Sequence, residues 1–136
     1  MRIGERGSAA YRSFVRGASD RRLELTLGSR AGLRMLMAQV AARAPGIAVK
    51  FAGELQCDLA RSDGSVSTWT IDTRSGRAIA RSGPAERPAL TARLTVADFV
   101  RMTAGELDPG SALLEGRLDL AGDFSVVTRL SALFGG

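Results

Sequence analysis

Histidine is absent from the chain, and cysteine occurs once, at Cys57. The first absence removes the commonest general base, the commonest metal ligand and any His-based triad. A single thiol excludes an internal disulfide framework and suits a reducing compartment. Aromatic residues are scarce at 5%, and of 19 basic residues only Lys50 is a lysine. That bias reads as GC-rich coding rather than phosphate recognition. Nucleic-acid readout would interleave basic residues with stacking aromatics, and the basic N-terminal stretch offers only Tyr11 and Phe14, so no nucleic-acid partner is expected. No apolar run approaches the roughly 18 residues of a membrane span. Arg30 and Arg34 interrupt what would be a signal-peptide core between Leu25 and Ala42, and the C-terminus reads Leu-Phe-Gly-Gly rather than a peroxisomal Ser-Lys-Leu. A cytoplasmic location is expected.

What is present fits one domain. The chain has 136 residues, 45% of them hydrophobic, enough for a single core. The net charge of +5 is unevenly spread. Residues 1–34 hold Arg2, Arg6, Arg12, Arg16, Arg21, Arg22, Arg30 and Arg34 against Glu5, Asp20 and Glu24, while the acids and bases of the remainder balance. Residues 1–22 show no period and hold Gly, Ser and Arg, which suggests a basic flexible arm ahead of a domain at 23–136. Such an arm is either a solvated tail or a docking segment for an anionic membrane surface or an acidic partner.

Beyond the arm, Leu33, Leu36, Met37, Val40 and Ala41 form one helical stripe, with Ser29 placed to cap it and Pro45-Gly46 to end it. Residues 47–82 then read as an antiparallel meander. Ile47, Val49, Phe51, Leu55, Cys57 and Leu59 alternate, with Gly53 as a bulge or close approach. A turn at Asp63-Gly64 leads to a strand with Trp69 and Ile71 on one face, and a third short strand follows. Leu90, Ala92, Leu94 and Val96 alternate in a fourth. Thr95-Val96-Ala97-Asp98 resembles a capping box that opens a helix with Phe99, Val100 and Thr103 inward and Gly105 as its stop. Asp108-Pro109 is an N-cap with proline at the first helical position; the short helix carries Ala112, Leu113 and Leu114 and ends at Gly116. A last strand at 117–122 carries Leu118 and Leu120, and Asp123 caps a final helix with Phe124, Val127, Leu130 and Phe134 along one side. The expected class is α+β: a five-stranded, mostly antiparallel sheet covered on one face by helices.

The stretch "LTVADFVRMTAGELDPGSALLEGRLDLAGDFSVVTRLSALF" resembles the sterol carrier protein type 2 lipid-binding domain. The likeness rests on Asp98, Phe99, Gly105, Leu107, Pro109, Leu114, Gly116, Arg117, Leu118, Leu120, Gly122, Asp123, Leu130 and Leu133, about 40 residues; the upstream helix and meander agree in order only. The resemblance implies a hydrophobic tunnel between sheet and helices that takes sterols, fatty acids, acyl-CoA or phospholipids with loose selectivity. The expected lining is Met37, Trp69, Leu94, Phe99, Met102, Leu113, Leu114, Leu118, Leu120, Phe124, Val127, Leu130 and Phe134, with Arg101, Arg117 and Arg129 near the mouth. Methionines suit ligands of varied shape because the thioether adapts to its surroundings.

No cofactor or metal is expected, and no catalysis. The candidate acid–base groups are carboxylates, Tyr11 and Cys57, and no pair of them assembles with a geometry in hand. Asp108 and Asp123 already serve as helix caps, Asp119 alternates away from the apolar face, and Cys57 shares a strand face with Leu55 and Leu59, as a buried inert thiol does. The alternative reading is an accessory module that docks on a lipid-, isoprenoid- or quinone-metabolising enzyme without carrying ligand itself.

Overall fold

The computed structural model describes residues 2–42 and 52–122, with side chains given from residue 9 onward. Three helices come first: α1 (Arg2–Gly17), α2 (Asp20–Leu25) and α3 (Arg30–Ala42). Strands β1 (Glu54–Ala60), β2 (Val66–Asp72), β3 (Ile79–Ser82) and β4 (Pro88–Thr95) follow, then α4 (Val96–Thr103), α5 (Pro109–Leu114) and β5 (Asp119–Gly122). The strand order is β3-β2-β1-β4-β5. Three of the four pairings are antiparallel and β1–β4 is parallel, so the sheet is mixed.

The period-2 pattern sets its two faces. Cys57 lies opposite Trp69 and Ala92, and Leu55 lies opposite Ile71 and Leu90. These residues, with Leu59 and Leu94, make the apolar face. Onto it pack Leu33, Leu36, Met37 and Val40 of α3, the stripe read from the sequence, and Phe99, Val100 and Met102 of α4. Ser29 accepts a hydrogen bond from the Gly32 N–H at 3.1 Å and so caps α3 as expected; Pro45-Gly46 lies outside the described residues. The start of the first strand, Ile47 to Phe51, lies outside them too, as does the final helix expected over 124–134. The last strand begins at Asp119, two residues later than its apolar pattern suggested.

The other face is polar but not bare. The loop before β4 folds across it: the Ala85 N–H donates to Gln56 Oε1 (3.0 Å), the Arg87 N–H to Glu54 Oε1 (3.2 Å), and Thr70 Oγ1 donates to the Gly83 carbonyl (2.9 Å). Glu54 is thereby 1% exposed, and Arg81 bonds both its carboxylate and that of Asp72. Burying a carboxylate is tolerable because guanidinium and N–H donors replace its water.

The N-terminal segment differs from the expected arm. It is helical and docked: Val15 is 1% exposed, Tyr11 Oη and Thr103 Oγ1 share a hydrogen bond of 2.6 Å, and Glu106 takes Arg12 at 3.2 Å and Arg16 at 2.8 Å. Ser19 caps α2, and Leu23 is fully buried. The glycines and arginines of this stretch hid a helix whose core contribution is a few side chains; its other ties to α4 and the turn after it are polar.

Candidate functional site

The apolar face of the sheet and the helices upon it form the candidate site. α4 is fixed there by its ends. The Thr95 hydroxyl accepts from the Asp98 N–H at 3.0 Å, as the sequence suggested, and Gly105 stops the helix with a φ of +76°, where a side chain would be strained. Asp108 caps α5 through the Ser111 N–H at 2.9 Å, with Pro109 opening the helix. These devices carry the chain off β4, over the sheet edge and back as β5.

The structure brings several expected lining residues into one cluster. Met37, Leu94, Phe99, Met102 and Leu118 are buried in it, and Trp69 and Leu120 pack against its margin, half-buried. Leu113 and Leu114 stand apart from it: α5 turns Ala112 inward, leaving Leu113 43% and Leu114 91% exposed. Phe124, Val127, Leu130 and Phe134 lie outside the described residues. Cys57 sits within the cluster, and burial, with Asp58 beside it, pushes its thiol up to about 12, so it stays protonated and inert.

The arginines expected near a mouth behave as structural ties. Arg117 grips Asp98 with two hydrogen bonds, Nη2 to Oδ1 at 2.7 Å and Nε to Oδ2 at 3.1 Å, and reaches Glu115 at 3.2 Å. Arg101 donates to the same Asp98 Oδ1 at 2.9 Å and also bonds Asp20 on α2. Arg129 is outside the described residues. Sequence reasoning saw Asp98 only as a helix opener. Its pairing with Arg101, three residues on, was available from helical spacing; its grip by Arg117 was not, since that depends on where α5 returns the chain. Glu54 was missed altogether, because its partner Arg81 is set by strand pairing.

A pocket of about 580 Å³ lies at the C-terminal ends of β1 and β4, lined by Asp58, Ala60, Val66, Arg93, Leu94, Thr95, Asp98, Gly116 and Arg117. Of the expected lining only Leu94 touches it. Its charges answer one another, Arg93 with Asp58 at 3.6 Å and Arg117 with Asp98, and the rest of its wall is largely apolar.

A profile of the SCP-2 sterol transfer family matches residues 34–135. Hydroxysteroid dehydrogenase-like protein 2 of Rattus norvegicus is 30% identical over 79 residues, which is 57% of this chain and 15% of that protein. The chain therefore spans less than a fifth of the length of the curated relatives of this name. Among solved structures, apo sterol carrier protein 2 from Yarrowia lipolytica matches with a TM-score of 0.63 at 12% identity, covering 76% of this chain and 87% of that one. The palmitated sterol carrier protein 2-like 2 from Aedes aegypti matches with a TM-score of 0.59 at 21% identity, covering 74% and 92%. These likenesses extend the described architecture to a known fold.

Proposed function

Because the chain belongs to the SCP-2 sterol transfer family, we propose that it binds and transfers lipid with loose selectivity, holding an acyl chain, a sterol or a related apolar body in a tunnel between the sheet and its helices. The observation that carries this reading is the shared apolar cluster: Leu94 of β4, Leu118 just before β5 and half-buried Leu120 of β5 gather with Phe99 and Met102 of α4. The C-terminal segment with Phe124, Val127, Leu130 and Phe134 completes the lining in this proposal, while Leu113 and Leu114 flank its entrance. An acyl chain of about 15 methylenes at about 0.8 kcal/mol each supplies roughly 12 kcal/mol. Losses of rigid-body freedom and side-chain ordering bring that down toward micromolar binding. No charge is needed, which suits a carrier of mixed lipids, and the buried thiol suits the cytoplasm.

The test is uptake of a fluorescent fatty acid by Leu120→Trp. The indole fills the space over β5, so uptake falls at least about tenfold while the circular dichroism and melting curve persist. Wild-type uptake in a folded variant would remove the β5 face from the site. A second reading, an accessory module beside an enzyme, is favoured by one fact: the relatives matched over a small share of their length include hydroxysteroid dehydrogenase-like and peroxisomal multifunctional proteins. Native mass spectrometry after mild extraction separates the two. A carrier retains co-purified lipid; a docking module does not.

A further inference from the structure

The pocket of about 580 Å³ at the C-terminal ends of β1 and β4 opens on the polar face of the sheet, away from the helices. Strand pairing fixes its floor. Ala60 lies between Val66 of β2 and Thr95 of β4, and Asp58 lies opposite Arg93. These five positions alternate with Leu59 and Leu94, so the sheet itself separates their side chains from the proposed tunnel. Of the pocket walls only Leu94 also belongs to the apolar cluster. Val66 is 57% exposed although it is a β-branched hydrophobic residue at the centre of this wall.

The polar atoms here divide into spent and unspent. Arg117 uses Nε and Nη2 on Asp98 and Nη1 on Glu115, and both oxygens of Asp98 are taken, so neither residue has anything left to offer. Asp58 is half spent: its Oδ1 accepts from Gln56 Nε2 at 3.0 Å and Thr68 Oγ1 at 3.1 Å. Its Oδ2 faces Arg93 Nε at 3.6 Å, too long for a hydrogen bond. The Arg93 guanidinium, on a side chain 61% exposed, makes no hydrogen bond among the described residues. The Thr95 hydroxyl accepts from the Asp98 N–H, and its proton has no acceptor among them. One wall of the pocket therefore presents a guanidinium fork, a hydroxyl donor and one carboxylate oxygen, all without a hydrogen-bond partner, beside an apolar floor.

We propose that this pocket is a second ligand site, separate from the tunnel, for a small carboxylic acid that carries a hydrogen-bond donor on the adjacent carbon and an apolar side chain. The ligand carboxylate takes the two terminal nitrogens of Arg93 and the Thr95 hydroxyl, a fork geometry that carboxylates match. Its neighbouring ammonium or hydroxyl donates to Asp58 Oδ2, and its side chain lies on Ala60, Val66 and Leu94. A bare carboxylate would meet Asp58 as a like charge, and a bare amine would meet Arg93; only a head that carries both kinds of group answers both. The volume falls within the roughly 300–1,000 Å³ of pockets that hold small molecules.

The experiment is a titration of the full chain, followed by the amide chemical shifts of Ala60, Thr95 and Gly116, with phenylalanine, phenyllactate and phenylpropanoate, which share one carbon skeleton. Phenylalanine or phenyllactate should bind at least about tenfold more tightly than phenylpropanoate, which lacks the donor. The tighter of the two tells an ammonium from a hydroxyl. Arg93→Gln should weaken the better ligand at least about tenfold, and Val66→Trp, which fills the floor from an exposed position, should abolish its binding while the melting curve persists. Arg77→Gln, an exposed arginine on the turn before β3, should bind as wild type does. Uptake of a fluorescent fatty acid should be the same with and without the ligand. No shift at these amides up to about 10 mM ligand, equal binding of phenylpropanoate, or wild-type binding by folded Arg93→Gln would overturn the site. Displacement of the fatty acid would overturn its separation from the tunnel. A protein that takes up no fatty acid but binds the better ligand through Arg93 would uphold the site and overturn the carrier reading alone.

Discussion

Asp98 sits at the start of α4 with 6% of its surface exposed and its carboxylate held by Arg117 and Arg101. Burial alone would raise its pKa, but the two guanidiniums outweigh that and hold it below the usual carboxylate range. A folded-state pKa below the unfolded one, which is about 3.9 for aspartate, makes Asp98 stabilising above that value. The contribution disappears as pH falls through the folded-state pKa. Asp98→Asn should therefore cost about 3 kcal/mol at neutral pH, where two cations lose their buried partner. The gap between wild type and variant in urea denaturation should shrink as pH falls below about 4. A gap independent of pH would mean that the hydrogen bonds matter and the charge does not.

At the level of elements, α5 is the instructive case. Six residues cannot hold a helix by propensity, so its ends must be fixed from outside. Asp108 supplies an acceptor at one end, Pro109 the preset φ, and Gly116, at φ +75°, the exit. Asp108→Ala should cost about 1 kcal/mol in thermal or chemical unfolding, with fatty-acid uptake unchanged in the folded protein. A large loss of uptake at an unchanged melting temperature would assign Asp108 to the ligand instead. The return strand has its own constraint. Gly122 lies at φ +121°, facing the Ala89 carbonyl and 3.1 Å from the Leu90 Cα at the position a Cβ would take, so the sheet edge closes only around glycine.

For the whole molecule, α1 and α2 lie ahead of the family-matched segment at 34–135 yet are built into the body of the protein. Val15 reaches the core, and polar ties at Thr103 and Glu106 surround it. Deleting residues 2–17 exposes the apolar surface that Val15 covers, worth about 2 kcal/mol for that side chain alone. The melting temperature should fall by roughly 5–10 °C. An unchanged melting curve would return α1 to the status of a detachable arm. Part of the loss should also appear as salt sensitivity in the full chain, because the Glu106 ties to half-exposed arginines are screened.

The sequence by itself determined the elements whose signals are local. The α3 stripe, the alternation of β4, the Thr95 and Asp108 caps and the Gly105 and Gly116 stops all rest on spacing within one turn or one strand, and each stands as read. So does the antiparallel meander of β1 to β3, because a tight turn such as Asp63-Gly64 leaves consecutive strands little choice. Only the tertiary structure decided the rest. The parallel pairing of β1 with β4 joins strands far apart in sequence, and it makes β1 central, which in turn buries Glu54. Whether an arginine is a free charge or a tie depends on which carboxylate the fold brings to it. Arg117, expected at a mouth, is bound to Asp98, while Arg21 and Arg34 face solvent. Leu113 and Leu114 follow one another in sequence with Ala112, and the direction of α5 alone chose the smallest of the three for the core. The helical N-terminus was missed although Tyr11 and Val15 stand one turn apart on an amphipathic stretch; the contacts that dock it lie some ninety residues away, on α4 and the turn after it.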